Sequence, residues 1–303
     1  MKKILTTSLI AASLAAFAAS ANGAAVIYEP FNQTDAETLG GKTAGVSPGT
    51  GFTGNWTVNA NVDVVAEYPA ATYGDLEHNG NKVEMANSPS TWASATISTT
   101  ALTNDGLLSH GSTLWFSYVF QKSNSGNSNE KSGFGFGTDR VNPAYNGLNM
   151  QNSGSGFGTF TNNNSITASS WSGGSRGGNN GVALQNTDPV LADGATLPSF
   201  VIGRMVWGAD GTADDVLTLW TSALDDIATA PTTGGAERTA VLDQSLFTTI
   251  SLGQRNSGGI QTYDEIRFGA TYADVSPVPE PSSFALLSGC LALTSIMLRR
   301  RRD

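Results

Sequence analysis

The sequence of 303 residues predicts an all-β fold, a two-sheet sandwich, and three observations predict it. Short runs rich in β-branched and aromatic residues recur along the chain with the two-residue alternation of half-buried strands. Glycine, at 35 residues, joins Asn, Ser and Asp in separating those runs with turn chemistry. Between the termini no stretch carries a helical period with caps, so the strands have only one another to bury their apolar faces against.

Taken in order, Lys2 and Lys3 precede an apolar stretch over residues 4–19 and the small residues Ala19-Ser20-Ala21. This is the pattern of a secretory signal peptide, so residues 1–23 are read as a leader and export is expected. A strand-like run follows at residues 25–31, and a glycine-rich connection, 40–54, leads to Trp56-Thr57-Val58. Residues 81–85 and 93–98 read as short strands. Residues 114–121 form the clearest early strand, with Leu114, Phe116, Tyr118 and Phe120 on one face, which belongs in the core. In residues 133–137 and 156–160 glycine alternates with aromatic residues, so their burial is one-sided. The Asn/Ser/Gly-rich stretches 123–129 and 169–180 are expected to be loops. Residues 200–207, 216–221 and 248–252 continue the strand series, divided by Asp210-Gly211 and Thr233-Gly234-Gly235. In the last strand Ile266, Phe268, Ala270 and Tyr272 point one way while Glu265, Arg267, Gly269 and Thr271 point the other. One face is therefore expected in the core and the other in water.

Composition narrows the function classes. Sixteen Lys and Arg against 25 Asp and Glu give a net charge of −9. Lys2, Lys3, Arg299, Arg300, Arg301 and Arg302 all lie at the termini, so the region between is more acidic still. An acidic surface disfavours nucleic acid and suits solubility in an envelope or matrix, or loose cation binding. The sole cysteine, Cys290, sits in the tail, so residues 24–275 are expected to fold as one domain on their core, without a disulfide.

The tail reads as an address. Val278-Pro279-Glu280-Pro281-Ser282-Ser283 is followed by an uncharged run, 284–298, and closed by Arg299, Arg300, Arg301 and Arg302. As a helix the run rises about 22 Å against a hydrocarbon core of about 30 Å, and the two serines bring it to about 17 residues, the lower limit for crossing. It is apolar on all faces, unlike an amphipathic helix. By the positive-inside rule the arginines stay in the cytoplasm, placing everything before Val278 on the far side. Pro279 and Pro281 fix φ around Glu280 and hold the motif extended. This combination resembles the PEP-CTERM sorting signal of Gram-negative envelope proteins, over residues 276–303. The resemblance implies recognition of Val278, Pro279, Glu280 and Pro281 by an exosortase, a membrane-embedded transpeptidase that cuts near the motif. It also implies a single transmembrane helix in the inner membrane, with the four arginines as its stop, and a final place in the envelope, at the surface or in an extracellular matrix.

Chemistry is sparse by comparison. Gly173-Gly174-Ser175-Arg176-Gly177 fits a nucleophile elbow, but low-complexity sequence lies where the flanking strand and helix should be. His78 and His110, the two histidines, have no ligand-spaced partner and are expected at the surface. Asp75 and Glu77 stand in a turn, and Asp264 and Glu265 are adjacent and so are expected on opposite faces. Asp210, Asp214 and Asp215 lack a calcium-loop spacing, and no metal or cofactor is expected. Trp115, Trp207 and Trp220 fall in strands and are expected in the core, whereas Trp171, in a polar stretch, is the candidate platform for a saccharide ring.

The ending Tyr263-Asp264-Glu265-Ile266-Arg267-Phe268-Gly269-Ala270-Thr271-Tyr272, with Leu217-Thr218-Leu219-Trp220 before it, resembles the closing strands of concanavalin A-like (laminin G/lectin) jelly rolls. The resemblance implies a jelly-roll sandwich over residues 24–275 and assigns no site. It leaves two readings: a non-catalytic carbohydrate-binding or structural domain with extracellular polysaccharide as partner, or a glycan-active hydrolase. The hydrolase needs two carboxylates in one cleft. The Glu-x-Asp-x-x-Glu arrangement of the glucanase branch is absent, so the sequence favours the reading without catalysis.

Overall fold

The computed structural model describes residues 24–276 except 48, 60–61, 70–71, 75, 86–89, 123–130, 145–146, 151–153, 163–164, 172–197, 223, 225–226, 228 and 256–258. The segment read as a leader, residues 277–303 of the segment read as a sorting tail, and the Gly173 to Gly177 motif lie outside the described residues. Among those described, no helix is long and apolar enough to cross a membrane.

Two antiparallel sheets form a sandwich. One runs β15 (Ala236–Ala240), β14 (Asp215–Ser222), β13 (Ser199–Val206), β7 (Thr113–Lys122), β17 (Gln261–Gly269), β5 (Lys82–Met85), β4 (Val62–Val65) and β2 (Glu37–Thr38). A ninth strand, β1 (Ile27–Glu29), pairs with β17 beyond the point where β5 leaves it. The other sheet runs β12 (Ser165–Trp171), β11 (Gly156–Asn162), β8 (Lys131–Gly137), β16 (Thr249–Arg255), β6 (Ser90–Thr96) and β3 (Thr57–Val58). A hairpin, β9 (Val141–Ala144) with β10 (Gly147–Met150), joins β8 to β11 and folds back over the outer face of the six-stranded sheet. Arg140 at its base fixes that placement, its guanidinium lying 3.7 Å from the centre of the outward-facing Trp92 ring.

The core between the sheets follows the alternation. Leu114, Phe116, Tyr118 and Phe120 of β7 all point inward and are buried. Phe134 of β8 stacks on Phe116 and Tyr118, at 5.6 and 4.7 Å between ring centres. Ile266 and Phe268 of β17 complete the contact with no exposed surface. Each such side chain contributes about 1.5–3 kcal/mol of burial, and the core supplies the stability that disulfides do not.

Several expectations are corrected. Ser169-Ser170-Trp171 is not loop but the end of β12, whose Thr and Ser residues are recruited by a full ladder with β11; only Ile166 and Ala168 carry its apolar signal. β4, β9, β10 and β15 were not expected as strands. β15 is a charged edge strand, Glu237 and Arg238 blunting an edge that would otherwise invite pairing. Among the described residues, two short α-helices and a 3-10 turn (Gln244–Leu246) occur where no helix was expected. Thr99–Asn104 is started by Ser98, whose side chain accepts from the Ala101 N–H at 3.3 Å. Tyr272–Val275 ends the last strand at Gly269 instead of letting it run on to Tyr272.

The largest correction concerns β17. A bulge between Asp264 and Arg267, with Glu265 at φ 53°, inserts one residue into the ladder with β7. It brings Asp264 and Glu265 to the same face rather than opposite ones. That face does not meet water, since Asp264, Glu265 and Arg267 are all buried.

Candidate functional site

The outer face of the nine-stranded sheet carries a second apolar cluster, separate from the inter-sheet core. Trp115, Val119, Phe200, Ile202 and Trp220 rise from β7, β13 and β14. Tyr68, Tyr73 and Leu76 cover them from one side, Leu224 and Ile227 from another, and Val275 with Tyr272 from the C-terminal helix. Trp115 and Trp220 therefore lie outside the sandwich core expected for them, while Trp207 lies within it.

Polar groups lock this cover to the bulge. The Tyr73 hydroxyl donates to Asp264 Oδ2, and the Tyr68 hydroxyl shares a hydrogen bond with Thr262 Oγ1. Glu265 pairs with Arg267 and accepts from the Tyr28 hydroxyl at 2.8 Å and the Asn79 N–H at 2.7 Å. Arg267 in turn donates to the Glu77 carbonyl at 2.7 Å and stacks 4.5 Å from the centre of the Tyr28 ring. Burial, and then the Glu265 charge, push the Asp264 carboxyl well above the ordinary carboxylate range. Burial also raises Glu265, with Arg267 opposing it. His78 stacks on Tyr73 at 4.0 Å, and burial lowers its pKa. With every oxygen of the pair engaged and no opening to solvent, this network braces the fold.

An open cleft lies beside it. Ile202, Trp220, Thr221 and Ser222 of the sheet form its floor, residues 229–234 one wall and Tyr272 another, around a volume of about 390 Å³. That volume falls in the range of small-ligand sites. Trp220 is held in place on three sides. It stacks on Trp115 at 6.0 Å, donates from Nε1 to the Thr233 carbonyl at 3.1 Å, and lies under Gly235, where a Cβ would come within 2.7 Å of the ring. Tyr272 meets Trp115 edge-on at 5.6 Å and donates its hydroxyl to the Ile227 carbonyl at 2.8 Å. The described lining thus offers the hydroxyls of Thr221, Ser222, Thr229, Thr232 and Thr233 with the half-buried Tyr272 ring and only a strip of Trp220, which is 6% exposed, and it contains no carboxylate and no histidine.

The residues singled out from sequence lie elsewhere. Trp171 ends β12, its backbone opposite Gly156, and its side chain is outside the described residues. His110 is exposed, with Nδ1 3.2 Å from Gln244 Nε2. Asp210 caps a turn by accepting from the Thr212 and Ala213 N–H groups, whereas the buried Asp215 accepts from the Gly208 and Leu242 N–H groups at 2.8 and 2.7 Å. The three aspartates do not converge, and no group of metal-ligating side chains forms among the described residues. The cleft itself was missed because its wall is the polar stretch after Ile227, which has no periodicity to betray a structural role.

No protein-family model matches the sequence, and no curated protein is similar to it. Among solved structures the chain is similar to an endo-β-1,4-glucuronan lyase from Trichoderma reesei, at 14% identity and a TM-score of 0.44 over 84% of this chain and 98% of that one. It is similar to the carbohydrate recognition domain of Emp46p, at 11% identity and a TM-score of 0.42 over 70% and 87%. A legume lectin-like domain from Entamoeba histolytica gives 8% identity and 0.42 over 70% and 90%.

Proposed function

We propose that this protein is an exported β-sandwich that binds saccharide in the cleft floored by Ile202 and Trp220, without cleaving it. The carrying observation is the composition of that lining: five Ser and Thr hydroxyls around the half-buried Tyr272 ring and the narrow strip of Trp220 that remains accessible. Sugar rings present apolar C–H faces and a rim of hydroxyls, which aromatic groups and neutral hydroxyls complement. Hydrolysis would need two cleft-facing carboxylates, and the acidic pair on this sheet face is instead buried in the bulge network. The test is binding of the full-length chain to a panel of polysaccharides, with Thr232→Trp to fill the cleft from an exposed position. Saccharide binding by the native chain and its loss in the variant, at an unchanged melting temperature, are expected. Equal binding by both would move the site elsewhere, and release of reducing ends would establish catalysis.

The sorting reading belongs to the same proposal and rests on the sequence from Val278 to Arg302. An exosortase recognises Val278-Pro279-Glu280-Pro281, and the following span, stopped by Arg299 to Arg302, holds the precursor in the inner membrane before transfer outward. Glu280→Ala is expected to leave membrane insertion intact and block processing, so full-length protein accumulates in the membrane fraction. A mature native chain that still ends in the arginines would make the tail a plain anchor.

A further inference from the structure

Arg204 is placed where few arginines would be left unpaired. It lies on β13 two residues from Ile202, so the same outer face carries both, about 7 Å apart along the strand. Its guanidinium carbon sits 5.4 Å from the centre of the Trp220 ring and 5.7 Å from that of Trp115. Across the ladder its neighbours are Trp115 on β7 and Thr218 on β14. Glu237, the next residue in that row, meets the Thr218 hydroxyl at 3.4 Å. Yet no carboxylate among the described residues comes within ion-pair distance of Arg204, and its buried Nε has no hydrogen-bond partner. In a chain with 25 acidic and 16 basic residues, an arginine without a counter-ion is notable. A half-buried guanidinium lacking one is costly, and its planar fork matches a carboxylate in two parallel hydrogen bonds.

We propose that Arg204 selects the ligand of the cleft, and that this ligand is an acidic saccharide whose ring carboxylate, a hexuronate, pairs with its guanidinium. The inference rests on the cleft reading above. Arg204 does not itself line the cleft but stands 5.4 Å from the ring of Trp220, which does, so a saccharide seated on the lining would reach it with the carboxylate of a neighbouring ring that extends past Trp220. The two indole rings keep the fork in place and exclude water from its flanks, which strengthens the ion pair relative to one in open solvent.

The test compares a polyuronate with the same polymer after its carboxyl groups have been reduced to alcohols, using the full-length chain. The native protein is expected to prefer the acidic form at least about tenfold, as one charge-assisted bidentate contact implies, and to lose that preference as salt is raised. Arg204→Met keeps the apolar stem on the tryptophans and is expected to abolish the preference. Should it fail to fold, Arg204→Lys, which keeps the charge and loses the fork, is expected to reduce the preference by a smaller factor. Equal binding of both polymers by the native chain overturns the role of Arg204 and leaves the cleft reading standing. A preference that survives in both Arg204 variants, or tighter binding of a sulfated glucan than of the polyuronate, likewise overturns the assignment. Binding of no polymer at all removes the cleft reading, and this inference with it.

Discussion

The nine-stranded sheet has two faces that were made by different rules. Its inner face, Leu114, Phe116, Tyr118 and Phe120 on β7 with Ile266 and Phe268 on β17, is uniformly apolar and closes against the second sheet. Its outer face mixes Trp115, Ser117, Val119, Arg204, Thr218 and Trp220 with the acidic bulge of β17, and it is covered by connecting segments rather than by another sheet. The inner face needs only volume and hydrophobicity, which a two-residue period announces. The outer face needs specific partners for each polar group, and these come from distant parts of the chain, such as Tyr73 for Asp264 at a separation of 191 residues. The first face holds the sandwich together by packing, and the second holds its cover by specific polar pairs and carries the proposed cleft.

The largest expected effect breaks the inner face. Phe268→Asp places a carboxylate where the native side chain has no exposed surface, between Phe116, Phe134 and Phe136. An unpaired carboxylate there costs several kcal/mol against a total stability of about 5–15, so the domain is expected to lose its cooperative melt. A cooperative melt near the native temperature would mean that β17 does not face the core.

The same contrast explains what was legible. Strands β7, β13, β14, β16 and β17 were readable because alternating or continuous apolar residues mark them. β12 and β15 were not, since Ser165 to Trp171 and Ala236 to Ala240 are strands by virtue of their ladders and not of their own side chains. The polar alternation of Glu265 and Arg267 suggested a wet face because alternation cannot reveal a cover, and one inserted residue at Glu265 reversed the facing of Asp264 relative to its neighbour. Trp220 was legible as a strand residue but not as cleft floor, because the 229–234 wall is held to it by a Thr233 carbonyl and a close glycine rather than by any patterned side chain.

A smaller effect, with a definite sign, tests whether the outer face is as dry as the bulge network requires. Asp264 and Glu265 have native pKa values raised by burial, so the folded state holds protons that the unfolded chain releases above about pH 4. Their contribution is full below the unfolded carboxyl value and is lost as pH rises through the raised native values. The melting temperature is therefore expected to fall between mildly acid and neutral pH, and Asp264→Asn, which keeps an acceptor for Tyr73, is expected to flatten that fall. Each tenfold difference in proton affinity between native and unfolded chain is worth about 1.4 kcal/mol. Identical pH dependence in the native chain and the variant would mean that water reaches the pair.

The smallest expected change in stability is also the sharpest probe of the cleft. Gly235 passes so close to the outer face that an added Cβ would stand 2.6 Å from Thr218 Cγ2 and 2.7 Å from the Trp220 ring. The threonine methyl can turn aside. The indole cannot, because Trp115 stacks behind it and Thr233 holds its Nε1. In Gly235→Ala the backbone of the wall must therefore lift, which loosens the Thr233 contact at about 1 kcal/mol while leaving the inner face untouched. Saccharide binding is expected to weaken by more than that loss of stability suggests, because the wall moves away from Tyr272 and the hydroxyls on the two sides no longer converge on one ring. Calorimetry of the melt, together with a binding isotherm for the same preparation, separates the two effects. An alanine variant that melts slightly lower yet binds as the native chain does would show that the wall at 229–234 is ornamental and that the ligand rests on the sheet floor alone.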